Sequence, residues 1–505
     1  MPKQNIAFHA FGDTALADAL GLKPPPFVKK EEAHRQIEYV QEYAGELGCQ
    51  SLVIESHYID RDYMEDHSVF YSKSLYPYPN SCQRIHFFSV DQATLSTELK
   101  RLLDVLNRRD FRKACSAFSE RYYLGFSVIK PLPGCPVGRT VLRCFPKRKD
   151  KTLVRRFDCA CNYPAHLLGV HLSVRGLAFQ QQDLGVSACA TTALWSALQR
   201  ARELEGNGPA TPAQITIRAS QFALPFGRPM PSEKLSLDQM CQAVQSFGYA
   251  PNLFRADDFD HSRGLLYSSV SSGLSPVLIL EAPRGDRMHA VTVAGMKVRD
   301  PHVETLINPL IDDRAGDLVD LYIHDDRLGP YLRAEIRRQR RRNRLVIKVP
   351  LRKGQKTETW YLTHILLPMH SKIRLSLGDL RELGITLVCS AHAFRESLLH
   401  VGPIITSWSS WITRSHSYLE SLRVTKDRVS PRVVEELCKS LMFPRYVGVV
   451  RMEAADLDPL DLLVDTTSTQ RNLNCLGIVQ TANTRTNTNS LAHFLAFHCE
   501  CPLFR

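Results

Sequence analysis

The sequence predicts an α+β protein, and three observations carry that expectation. Apolar positions 190, 193, 194, 197, 198, 201 and 204 fall on one helical stripe. The apolar runs 277–280, 290–293 and 318–323 come after the helices as strands instead of alternating with them. No internal repeat and no long low-complexity tract points to a solenoid or propeller.

At 505 residues the chain exceeds what one hydrophobic core organises, and at roughly 150 residues per domain about three units are expected. The first, residues 1–145, carries a helical pattern over 92–118 and a strand over 122–129, followed by the turn Lys130-Pro131-Leu132-Pro133-Gly134. The second, 157–330, holds a helix from Cys189, a helix over 237–247, and the three strands. The third, 345–505, opens with a strand over 345–349. It also holds a helix with Ser430 as N-cap, Pro431 in its first turn and Val433, Val434, Leu437 and Leu441 on one face, and then a strand over 446–450. Two mixed α/β accessory domains thus flank an α+β centre.

The composition, 44% apolar and 23% charged, is that of a folded chain, and the N-terminal thirty residues lack the apolar run of a signal peptide. With no run of 18 apolar residues, a soluble cytoplasmic protein is expected, without a membrane partner. Its 14 cysteines are expected as reduced thiols in a cytosol. The net charge of +12 is concentrated: residues 333–353 alone contribute +9. A smaller basic cluster, Lys147, Arg148, Lys149 and Lys151 with Arg155 and Arg156, reads as a linker.

Chemistry enters at Gln180-Gln181-Gln182-Asp183-Leu184-Gly185-Val186-Ser187-Ala188-Cys189. Ser187 as N-cap would put Cys189 in the first helical turn, where unpaired amides and the positive end of the helix dipole favour a thiolate. A cysteine merely packed under the helix is the alternative. One hundred residues later His289 opens the strand that runs to Gly295, and a third strand ends in His324-Asp325-Asp326-Arg327-Leu328-Gly329. An acid leaving the strand beside the one that bears a base can fix the imidazole tautomer. Alternation puts Asp325 with Leu321 and Ile323 on the covered face and turns Asp326 toward solvent or the turn before Gly329, although Asp326 stays a rival for the same role.

The order Cys on a helix, His leading a strand, Asp at the next strand end resembles the papain-like fold. Within it, the chain is similar to the double-glycine-leader peptidases attached to bacteriocin exporters. The matching positions are Gln182, Cys189, His289 with Gly295, and Asp325 with Gly329, over residues 157–330 only. Two positions depart from that pattern: Ala190 stands where the family has Gly, and Gln182 precedes Cys189 by seven residues instead of six. The longer His289–Asp325 interval makes 297–316 an inserted loop. The resemblance implies a papain-like cysteine peptidase, bacterial and cytoplasmic, in which Cys189 is the nucleophile, His289 its base, Asp325 the orienting acid and Gln182 an oxyanion donor, acting on a protein or peptide substrate with no cofactor and no metal. Deamidation or another acyl transfer on the same residues is the first alternative. The second is a non-catalytic scaffold or nucleic-acid-binding protein.

The segment 57–67, rich in acids and histidines, matches no zinc spacing and reads as a hydrogen-bonded interface between domains. The pairs Cys159/Cys161 and Cys499/Cys501 read as structural. Arg337, Arg338, Arg340, Arg341, Arg342 and Arg344 read first as a solvated basic surface, with an anionic partner as the alternative, and the acidic stretch 456–467 could dock against them.

Overall fold

The computed structural model describes the chain except residues 1–5, 13–15, 23–34, 106–108, 148–151, 184, 209, 222–233, 301–311, 340, 352–356, 398–406, 425–430, 442, 455–456, 469–473, 482–487 and 505. It is an α+β molecule organised around three main sheets.

The first sheet is antiparallel and follows chain order: Ile6–Ala10, Ser51–Tyr58, Cys82–Phe88, Tyr123–Ile129 and Val137–Leu142. The pattern over 92–118 is two helices, Gln92–Asp104 and Phe111–Tyr122. Asp91 starts the first by accepting the N–H groups of Ala93 and Thr94.

The second sheet closes on itself. Val277–Glu281, Met288–Arg299, Leu318–Asp325, Gly329–Gln339, Arg344–Pro350 and Thr357–His370 pair antiparallel in that order, and the last pairs back onto the first. Within the ring every strand has a partner on both sides, and its strands are apolar on both faces because each face packs into a core. Leu278 and Leu280 join one core with Val291, Val293, Leu321, Ile323, Leu345 and Ile347. Val277 and Ile279 join another with Ala193, Leu194, Trp195 and Leu198 of the helix Cys189–Glu205.

The ring corrects three expectations. It is not divided at 330 or 345, because hydrogen-bonded strands run continuously across both positions. The end of the expected linker, Leu153–Arg156, pairs with residues 296–299 as a strand, with Val154 buried in the core. Of the expected loop 297–316, residues up to Arg299 extend the His289 strand and Asp312–Asp313 pairs in parallel with Ser407–Trp408, while 301–311 lies outside the described residues.

The third sheet runs Asp312–Asp313, Ser407–Arg414, Tyr446–Ala454, Leu457–Asp465, Cys475–Gln480 and Leu503–Phe504. The expected helix is Pro431–Ser440, and its cap Ser430 lies outside the described residues. No helix among the described residues is long and apolar enough to cross a membrane.

Segment 57–67 docks the first unit onto the central helices. Asp60 caps the helix Arg61–Val69 and pairs with Arg139 at 2.6 Å; Asp62 accepts the Trp195 indole N–H at 3.2 Å; Asp66 accepts the Ala213 N–H at 3.1 Å. Buried carboxylates need such donors, which is why acids cluster here.

Candidate active site

The loop before the central helix is shaped by Asp183. Its Oδ1 accepts the N–H groups of Gly185, Val186 and Ser187 at 3.0, 2.7 and 2.9 Å, and its Oδ2 lies 3.6 Å from the buried Lys130 ammonium. The Ser187 backbone N–H is held in this turn and its hydroxyl caps nothing, so the N-cap is Ala188, one residue later than expected, and Cys189 is the first helical residue. Alanine has no side-chain acceptor, so the amides of the first turn are left to whatever sits before them. Cys189 itself is half-buried.

His289 stands opposite Leu280 at the start of its strand, and the neighbouring strand pairs with it further along, Thr292 facing His324. Asp325 is therefore delivered to the imidazole: its Oδ1 lies 3.1 Å from Nε2. The Cys189 side chain is a further hydrogen-bonding neighbour of His289. With Nε2 engaged by the acid, Nδ1 is the nitrogen left for the thiol. Burial by itself would lower the basicity of His289, but the charge and hydrogen bond of Asp325, the charge of Asp326 and the thiol raise it to about 10. Asp325 is held well below the usual carboxylate range: burial opposes ionisation, and His289 and Arg327 outweigh it.

Asp326 does not face solvent. It is 3% exposed, its Oδ1 lies 3.6 Å from His289 Nε2, and neither of its oxygens has a hydrogen-bond partner among the described residues. Alternation fails on two counts: the pairing slips between Ile323 and Asp325, and the face that carries Tyr322 and His324 is covered, by Phe145 and Phe157 and by Phe179 and Tyr331. Burial, then the Asp325 charge, push Asp326 up to about 6 despite the pull of His289 and Arg327.

Both glycines of the sequence pattern have steric reasons. A Cβ at Gly295 would meet Phe157 at 2.4 Å, and one at Gly329, where φ is +154°, would meet the Tyr39 ring at 2.1 Å. Gln182 is half-buried in the loop, and among the described residues no side-chain hydrogen bond joins it to Cys189 or His289.

Three neighbours were not foreseen. Arg327 places Nε 3.2 Å from His289 Nε2 and Nη2 3.0 Å from both Asp325 Oδ2 and Glu358 Oε2. The Trp360 ring lies 5.6 Å from the imidazole, and its N–H donates to Glu358 at 3.2 Å. Arg327 was visible as a cation two residues past the acid; Glu358 and Trp360 come from a strand outside the expected unit and left no local signal. His289, Asp325 and Asp326 offer ligand atoms within 4.8 Å of one another, the spacing of a metal site. The guanidinium bonded to two of the three is the cation of that cluster, which disfavours a metal there.

The arginine run is the turn between Gly329–Gln339 and Arg344–Pro350, and Arg340 lies outside the described residues. Two of its cations are paired: Arg337 with Glu335 of its own strand, and Arg338 with Asp260 of the helix Phe259–Ser271 at 2.5 Å. Of the stretch 456–467, Asp456 lies outside the described residues, and Leu457–Asp465 is a strand of the third sheet in which Asp461 is buried against Arg451 and the Tyr418 hydroxyl.

No family model matches the chain, and no curated protein matches it.

Proposed function

We propose that the chain is a papain-like cysteine hydrolase that cleaves peptide bonds. The observation that carries this reading is His289 set between Cys189 at a helix N-terminus and the buried carboxylate of Asp325, 3.1 Å from Nε2. The antiparallel strand ring packed against the cysteine helix supports it, Thr292 Oγ1 donating to the Ala193 carbonyl at 2.7 Å.

In this cycle the Cys189 sulfur, its proton held on His289, attacks the substrate carbonyl carbon. The developing oxyanion takes the Cys189 N–H and the Gln182 amide, which turns in from the loop when substrate binds. The imidazolium then gives its proton to the leaving amine as the C–N bond breaks. Water, deprotonated by the neutral imidazole, attacks the thioester and releases the acid and the thiol. Asp325 keeps Nε2 protonated throughout, leaving Nδ1 to carry protons.

A peptide library incubated with the protein and read by mass spectrometry tests the reaction. Cleavage gives two fragments that sum to the substrate plus water. Deamidation gives a shift of about one mass unit without fragments, and would replace peptide hydrolysis as the activity of the same residues. No product from any library would overturn the reading.

The exposed Arg341 and Arg342 at the hairpin tip suit an accessory contact with an anionic partner. Binding of an unrelated duplex DNA at 50 mM salt should weaken at least ten-fold by 200 mM and be lost in R341A/R342A. No binding at low salt would leave the run as a solvated surface.

A further inference from the structure

We propose that Arg327 is a positioning residue of this site, clamping Asp325 against His289 and acting as the counter-cation that keeps the imidazole able to release its proton. The inference rests on the hydrolase reading above and concerns how that site is tuned.

Charges crowd one ring. From the strand end, Asp325 and Asp326 both face His289 Nε2, at 3.1 and 3.6 Å, and both are buried. From the helix comes the Cys189 thiol. From the strand Thr357–His370 come the Trp360 ring and Glu358, and Arg287 stands over the Trp360 ring, 5.5 Å from its centroid. Two buried carboxylates against one imidazole would bind a proton too firmly for a group that must hand it to a leaving amine, because efficient proton transfer needs matched affinities. Arg327 is the cation bonded to both partners of the pair.

Its geometry is specific. The Arg327 backbone N–H and Nη2 each donate to Asp325 at 3.0 Å, to Oδ1 and Oδ2 respectively, so the carboxylate is held with Oδ1 toward the ring. Arg327 is anchored in turn by Glu358 at 3.0 Å, by the Trp360 face 5.3 Å below its guanidinium, and by Gln36, whose amide donates to the Arg327 carbonyl at 2.7 Å. Arg327 Nε also lies 3.2 Å from His289 Nε2. That nitrogen cannot donate to Asp325 and accept from Arg327 at once. With the Nε2 proton given to Asp325, the guanidinium acts on the ring by its charge and opposes the second proton, on Nδ1, while the carboxylates favour it, and the balance sets how tightly His289 holds its charge. A carboxamide at 327 removes one side of this balance; a lysine keeps the charge without the fork.

The test is the rate of Cys189 alkylation by iodoacetamide from pH 5 to 11 in full-length wild type, R327Q, R327K and E358Q, with sites assigned by mass spectrometry. In the wild type, selective Cys189 labelling shows an upper inflection where the imidazolium loses its proton. In R327Q that inflection should move up by about one pH unit or more, with R327K restoring most of it. E358Q, which removes a competing acid from Arg327, should move it down, and decides the matter if R327Q does not fold. Selective labelling of Cys189 with an inflection that stays in place in both R327Q and E358Q would overturn the role of Arg327 and leave the hydrolase reading standing. Wild-type Cys189 without selective labelling would count against that reading itself.

Discussion

Cys189→Ala should abolish peptide cleavage, a loss of roughly 10³-fold or more, and His289→Ala should do the same. The two groups act as a unit, so the double variant should be no worse than either single one. Cys189 is half-buried at the first position of its helix, and alanine at that position removes one sulfur without opening a large cavity. Its thermal midpoint should therefore stay close to wild type, corresponding to a change of about 1 kcal/mol or less. His289→Ala differs, because it strips the counter-ion from two buried carboxylates and should also destabilise. Turnover retained in Cys189→Ala, with a normal melting curve, would remove Cys189 from the chemistry.

Asp325→Asn should cut turnover by roughly 10²–10⁴-fold while leaving the fold in place, whereas Asp326→Asn should change turnover less than about ten-fold. Asp325 makes the hydrogen bond that fixes the tautomer; Asp326 contributes charge alone from 3.6 Å. The stability effects run the other way. The Asp326 carboxyl is raised to about 6 in the fold, so the stabilisation that comes with its proton is present below the ordinary carboxyl range near pH 4 and is lost as pH rises through 6. At pH 8 it is a buried charge without a hydrogen bond, and Asp326→Asn should gain about 1–3 kcal/mol there and little at pH 4. Asp325, held below the ordinary range, stabilises above that range and loses its contribution as pH falls, so Asp325→Asn should cost stability at neutral pH. Denaturation curves of both variants at pH 4 and 8 read these signs directly. Asp326→Asn as the inactive variant would make Asp326 the orienting acid.

The sequence exposed those parts of the site that depend on local pattern. A helical stripe after a polar loop located the Cys189 helix to within a residue, and short apolar runs located the strands of His289 and Asp325. The N-cap was misplaced because Asp183 consumes the turn that holds Ser187, and a carboxylate accepting three successive amides has no distinct signature in composition. Exposure of Asp326 was misjudged because alternation presumes that one strand face meets water, while here aromatic residues of other segments cover it. The pairing of Val277–Glu281 with Thr357–His370 joins segments some eighty residues apart, and no local pattern encodes a contact of that range. That closure brings Trp360 to His289 and Glu358 to Arg327.

Competitive labelling tests the central claim most directly. Cys389 and Cys438 are the exposed thiols among the described residues, and Cys189 is only half-buried, so accessibility and activation make opposite forecasts. With substoichiometric iodoacetamide at pH 7, an activated Cys189 beside a charged His289 should be labelled first in wild type and should lose that precedence in His289→Ala. Labelling of Cys389 and Cys438 first, with Cys189 unmodified and indifferent to His289, would contradict the account.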